Sequence, residues 1–238
     1  MILMRTLYKN IFLIVLLFNF LNLHSQNEFN KLDDKGKKQG LWKGVYEDTK
    51  NPKYEGSFEH GKEVGLFVFY DNTKVKKVIA TREFKPQTNE AYTIFYDQNK
   101  NIVSEGRVVN KLFVGQWKFY HKASKVVMTI ENYTSGKLEG IRTVFYPNGK
   151  IAEEVNYKNN SKYGLCKIYA QNGVVIEESN YANNNYNGIS IFRDTDGNIV
   201  SKGNFVNGKK SGIWQFYEKG KLVKQTNMSF PDTKTKPK

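Results

Sequence analysis

The 238-residue chain has little of what catalysis and metal binding usually draw on. It holds one cysteine, Cys166, which excludes an internal disulfide and a cysteine-built zinc cage. Its histidines are His24, His60 and His121, and the last two stand 61 residues apart, so no clustered ligand set exists. Five prolines and 19 glycines exclude a Pro-rich or collagen-like chain. Acidic residues are short, 23 against 37 Lys and Arg, which leaves a formal charge of +14. Aromatics are plentiful at 14%, which excludes an intrinsically disordered chain.

Long apolar runs are also missing, except at the N-terminus. Arg5 and Lys9 precede an unbroken apolar run from Ile11 to Phe18, and His24 and Ser25 follow Leu23. No acidic residue occurs before Glu28. A positive start, a short apolar middle and a small residue after it make a secretory signal peptide, with cleavage expected near Ser25. A retained anchor is the competing reading. Ile11–Leu23 includes two asparagines and falls short of the roughly 20 apolar residues that a spanning helix needs. No cysteine follows the run, so lipoprotein-type attachment there is excluded. The expectation is an exported chain, periplasmic or at the cell surface, with no transmembrane segment in its mature part.

The rest of the chain repeats. Anchors stand at Gly40, Gly65, Ala91, Gly115, Gly140, Gly164, Gly188 and Gly212, spaced by 24 to 26 residues. Four residues after them come Gly44, Phe69, Phe95, Phe119, Val144, Ile168, Phe192 and Phe216. Seven before the later anchors come Phe58, Phe84, Val108, Tyr133, Tyr157, Tyr181 and Phe205. Turn residues fall between: Asn148-Gly149, Asn172-Gly173, Asp196-Gly197 and Lys219-Gly220, and, just ahead of the anchors, Gly61, Gly136 and Asn207-Gly208. Asn-Gly and Asp-Gly accept the positive φ of two-residue hairpin turns. Two turns per repeat leave two runs of strand length, rich in Tyr, Phe, Val and Ile. Each repeat therefore reads as one β-hairpin, and eight hairpins give about sixteen antiparallel strands.

A lone hairpin is marginal in water, so neighbours must pair edges and cover one another's aromatic faces. The anchor glycine has two readings: a backbone bend, or close approach of a neighbouring side chain. Positions two and four after the anchor share one strand face, with Trp42, Phe67, Trp117 and Trp214 among them. Positions one and five share the other, with Leu41, Leu66, Tyr120, Leu165 and Tyr217. Both faces carry apolar groups, which predicts a twisted, curved sheet that partly fills its own concave side.

Gly115-Gln-Trp117-Lys-Phe-Tyr120, Gly212-Ile-Trp214-Gln-Phe-Tyr217, Tyr133-Thr-Ser-Gly136-Lys-Leu-Glu-Gly140 and Tyr146-Pro-Asn-Gly149-Lys150 together resemble MORN repeats, in particular their bacterial variant. The resemblance covers about 35–228. Repeats one and three depart most; the third has Ala91 for the anchor glycine and Thr93 where Trp is expected. The resemblance implies an all-β fold, an elongated, twisted antiparallel sheet of stacked hairpins, used as a scaffold or binding surface. It also implies similarity to antitoxin-labelled relatives, and it brings no shared catalytic residues.

Other chemistry is thin. Cys166 holds a position taken elsewhere by Trp and Phe and reads as a packed apolar residue. Gly56-Ser-Phe-Glu-His-Gly61-Lys62 nearly matches a phosphate loop, but Glu63 replaces the required hydroxyl and the repeat itself generates the spacing. Glu153-Glu154 and Glu177-Glu178 stack in neighbouring repeats as two carboxylate ladders, read as solvent-facing. Lysines cluster at 74–77 and from Lys209 onward, which reads first as a solvated surface that keeps exposed strands from aggregating and otherwise suits an anionic surface or an acidic protein face; export makes nucleic acid an unsuitable partner.

The organisation expected is a leader over 1–25, a polar lead-in over 26–34, the hairpin array over 35–228 and a basic, disordered tail over 229–238. The function expected is a non-enzymatic exported scaffold, without cofactor or metal, that binds a protein or an anionic envelope surface. Trp42, Trp117, Trp214, Tyr120, Tyr217, Lys209 and Lys210 are its candidate binding residues, on condition that the tryptophans are exposed; recurrence at repeat spacing equally suits a core. An antitoxin-like inhibitor and an envelope-polymer hydrolase are the alternatives.

Overall fold

A computed structural model of the chain describes residues 29–86 and 88–229. The leader assigned to 1–25 and the tail beyond Ser229 lie outside the described residues. Within them all regular structure is strand: β1 (Lys31–Leu32), β2 (Lys38–Val45), β3 (Pro52–Glu59), β4 (Lys62–Tyr70), β5 (Val78–Phe84), β6 (Glu90–Tyr96), β7 (Ile102–Val109), β8 (Leu112–Tyr120) and β9 (Val127–Thr134) in the first half. The second half holds β10 (Lys137–Leu138), β11 (Gly140–Phe145), β12 (Ile151–Lys158), β13 (Ser161–Tyr169), β14 (Val175–Ala182), β15 (Asn185–Arg193), β16 (Ile199–Val206), β17 (Lys209–Glu218) and β18 (Lys221–Asn227). They form one long open antiparallel sheet of 18 strands in which strands adjacent in the chain are hydrogen-bonded neighbours. β10 and β11 are one strand interrupted at Glu139, and β9 pairs with both. With that strand counted once, β2 to β18 are the sixteen that the repeats predict. Pairing begins earlier than expected: β1, inside the segment read as a lead-in, pairs with β2.

The hairpin turns are of two kinds. His60-Gly61, Asn110-Lys111, Ser135-Gly136, Asn159-Asn160, Asn183-Asn184, Asn207-Gly208 and Lys219-Gly220 have positive φ at both residues, the two-residue type I′ turn whose twist matches that of the strands. Asn148-Gly149, Asn172-Gly173 and Asp196-Gly197 differ from the two-residue turns expected of them. Only the glycine has positive φ, and the loop is wider. Tyr146 N donates to Lys150 O and Gly149 N to Tyr146 O, both at 2.8 Å. One additional residue separates the strands there, and a three-residue loop closes on a type I turn followed by a left-handed glycine.

The structure decides why the anchors are glycine. Gly40, Gly65, Gly140, Gly164 and Gly212 have φ between +65° and +78°, and a Cβ on any of them would meet nothing within 4 Å. At these five the requirement is backbone conformation, not close approach; Gly188, with Asn180 Cβ 3.2 Å from where its own Cβ would stand, has both. Strand pairs around such anchors shift register, as between Gly106 and Arg107 in β7–β8. Ala91 lacks a positive φ, and β5–β6 pairs without a shift.

The core is a single row that crosses the sheet. Residues two after each anchor face residues nine before the next anchor in a continuous ladder: Trp42, Gly56, Phe67, Arg82, Thr93, Gly106, Trp117, Glu131, Arg142, Val155, Cys166, Ser179, Ser190, Gly203 and Trp214. Volumes compensate along it. Gly56, Gly106 and Gly203 lie directly under the rings of Phe67, Trp117 and Trp214, where any Cβ would collide. Val155 faces Cys166, and Ser179 faces Ser190. Phe58, Phe84 and Val108 flank the row and close the N-terminal cluster. One sheet thus buries its inner face against its own side chains.

Candidate interaction surface

The tryptophans belong to that row. Trp117 and Trp214 are 0% exposed, and their indole N–H groups donate to Arg107 O at 2.9 Å and Asn204 O at 3.0 Å. The condition on which they were offered as partner anchors fails, because each ring is sandwiched over a glycine and no surface is left for a ligand. Trp42 is half-buried, with Nε1 donating to Lys31 O at 3.0 Å. Lys210 lies with its ammonium 4.0 Å over the Trp214 ring, on the same inner face. Lys209 is exposed at the start of β17. Tyr120 and Tyr217 point the other way: Tyr120 donates to Glu105 at 2.5 Å and Tyr217 to Gln215 at 3.0 Å. Burial, then the Glu105 carboxylate, pushes the Tyr120 phenol up to about 12. The seven candidate residues are therefore split between two faces and do not converge.

What the outer face does present is a row at the position one after each anchor: Leu41, Leu66, Tyr92, Ile141, Leu165, Ile189 and Ile213, all exposed, with Leu66 at 58% and Ile189 at 64%. Gln116 is the one polar member. Alternate strands carry the row, so neighbours lie about 9.6 Å apart and the whole spans roughly 67 Å. The facing residues are polar: Ser57, Glu83, Arg107, Asn132, Asn156, Asn180 and Asn204. Three of these asparagines are tied down. Asn132, Asn156 and Asn180 donate to the carbonyls of Ile141, Leu165 and Ile189 at 2.7, 2.8 and 3.2 Å. The amide ladder clamps the backbone beneath the aliphatic row and fixes its spacing. Sequence reading grouped these residues into a second apolar face; the signal that separates them as a surface is the polar partner opposite each one.

The carboxylate ladders are engaged rather than free. Glu153 and Glu131 both bind Arg142, at 3.2 and 3.0 Å; Glu154 accepts from Tyr169 at 2.6 Å; Glu178 pairs with Arg193 at 2.7 Å. Glu177 accepts from Ser179 and Tyr186. His121 contacts Phe145 O at 3.0 Å and His60 meets Asp33 at 2.8 Å, so both join neighbouring hairpins. Cys166 is buried, and desolvation first, then Glu153 and Glu177, raises its thiol to about 11. Among the described residues no three potential metal ligands cluster, and no helix is long and apolar enough to cross a membrane.

Compared with known families, residues 138–159 and 162–183 match the MORN repeat variant. Over those two units the chain is similar to MORN variant repeats. The matched MORN units run from β10 through β12 and from β13 into β14. No curated protein matches the chain. Similar solved structures include the crystal structure of a GtfA/B complex, at 15% identity and a TM-score of 0.22 over 50% of this chain. Another is a mutant of S. aureus TarM in complex with Fondaparinux, alpha-GlcNAc-glycerol and UDP, at 14% identity and 0.18 over 62%. The chain spans 19% of the length of either.

Proposed function

We propose that this chain is a non-enzymatic, exported scaffold that docks a protein partner along its outer face. The observation that carries the reading is the exposed aliphatic row. Seven apolar side chains, broken once at Gln116 and resting on clamped backbone at Ile141, Leu165 and Ile189, form a surface that a monomer gains nothing by exposing. An extended partner face would meet several of them at once, and the Lys excess favours an acidic rim on that partner.

The test is crosslinking in the native envelope with mass spectrometry, on the natural chain and on the double variant Leu66→Lys, Ile189→Lys. The reading expects a captured protein whose yield falls about tenfold or more in the variant, as for two interface anchors worth over 1 kcal/mol each. Both positions are exposed, so the thermal midpoint should hardly move. Capture of nothing but copies of the chain, or capture indifferent to the row, overturns it. Binding to phosphatidylglycerol vesicles that survives the double variant and vanishes at high salt points instead to the anionic-surface alternative.

A further inference from the structure

In the three repeats whose row member is tryptophan, the side chain two before the anchor lies across that ring. Phe113 stacks on Trp117 with ring centroids 3.6 Å apart, and Lys210 and Lys38 lie 4.0 and 4.5 Å over Trp214 and Trp42. In the third repeat the same two positions hold small residues, Asn89 and Thr93, and in the second repeat the first of them is Glu63. Beside Asn89 a cavity of about 340 Å³ opens, lined also by Glu63 and Arg82.

Its lining is specific. Arg82 stands where three other repeats have Gly56, Gly106 and Gly203. The guanidinium lies 5.2 Å over the Phe69 ring, yet its Nε is buried with no hydrogen-bond partner, and no carboxylate is within ion-pair distance among the described residues. Thr93, opposite Arg82, is fully buried with its hydroxyl also unpartnered. Phe84 and Val108, both buried, supply apolar walls, and Lys111 lines the same cavity. Asn89 donates to Asn110 Oδ1 at 2.8 Å, which leaves the Asn110 amide nitrogen without a partner among the described residues.

Arg82 is half-buried and has no ion-pair partner among the described residues, and a carboxylate matches a guanidinium fork with two parallel bonds. Glu63 offsets one of the two cationic charges, so the site suits a single negative charge rather than a phosphate dianion. We infer that this cavity binds a carboxylate carried on a flat apolar body, with its oxygens on Arg82 and its body against Phe84 and Val108. The source is either a free aromatic acid or the C-terminus of a peptide that ends in an aromatic residue. The site is on the inner face and does not depend on docking at the outer row.

The test is a titration of the 15N-labelled full chain with phenylacetate, with 2-phenylethanol, and with a hexapeptide ending in phenylalanine as the free acid or the amide. A saturable shift of the Arg82 guanidinium resonances with phenylacetate or the free-acid peptide, absent with the alcohol and the amide, is expected. The tighter of the two acids identifies the source. Arg82→Lys should weaken binding about tenfold, the worth of one charge-assisted bond. Asn89→Phe, which copies the fourth repeat and fills the space, should abolish it, while Lys43→Gln on the outer face should leave it unchanged. No saturable shift with either acid at millimolar concentration, an equal response to the alcohol, or undiminished binding in Asn89→Phe would overturn the assignment.

Discussion

Glycine and tryptophan stabilise this sheet as pairs. Gly106 and Trp117 occupy facing positions, and the ring lies where a methyl on Gly106 would have to go. Gly106→Ala should therefore destabilise by about 1–3 kcal/mol through overpacking. Trp117→Ala should lose about 3–5 kcal/mol through burial and cavity terms. The double variant should lose less than the sum, by roughly 0.5–3 kcal/mol, because the alanine at 106 then occupies space that the ring has left. Urea unfolding of the three variants measures this, and strict additivity would show that the ring does not rest on that glycine. Tyrosines give a second residue-scale expectation. Tyr120 and Tyr169 are each raised to about 12, by burial first and then by Glu105 and Glu154. The unfolded chain ionises its tyrosines near pH 10, so between about 10 and 12 it loses protons that the folded chain keeps. Stability is thus fully present below about pH 10 and falls as the pH rises toward 12. Tyrosinate absorbance and urea midpoints followed across that window check it, and Tyr120→Phe should reduce the fall.

At the scale of the strand and turn, the left-handed anchor is the recurrent element. Gly164 has φ +74° and open space around it, so Gly164→Ala carries a conformational cost of about 1–2 kcal/mol and no steric one. Gly164→Asn should recover part of that loss, since asparagine tolerates the left-handed region. Equal loss in both, read from urea midpoints, would mean that packing sets the cost. Much of this level was legible in the sequence. Glycines at a spacing of 24 to 26, with aromatics in fixed phase, yield the hairpins, their number and the two faces. Three things were not legible, each for a physical reason. Asn148-Gly149 looks the same in a two-residue turn and in a wider loop until the hydrogen bond from Tyr146 to Lys150 is known. The partner of Trp117 is a glycine eleven residues earlier, and only the register places it under the ring. The cavity beside Arg82 lies where the third repeat has Asn89 and Thr93 against Phe113 and Trp117 in the fourth, and only the fold shows that those positions border an open space.

For the whole molecule, a row of side chains in which each member contacts only its neighbours makes stability a sum of local terms. The row is aromatic around Phe67 and Trp117 and again at Trp214, and between them it passes through Glu131, Arg142, Val155, Cys166, Ser179 and Ser190. Hydrogen exchange should therefore find slow amides in β3–β8 and β15–β17 and faster ones in β11–β14; uniform protection would contradict a row-based core. The last strand, β18, is mostly exposed and carries Lys221 and Lys224 beside exposed Leu222 and Val223. Charge on an open strand disfavours stacking of one molecule onto the next.

The sole thiol sits in that softer middle stretch, with 1% of its surface accessible. A bulky disulfide reagent can reach it only when the central hairpins part, so the rate of its modification times that parting directly. Without any engineered label, the chain carries its own clock for breathing, and a bound partner that grips the centre should slow it.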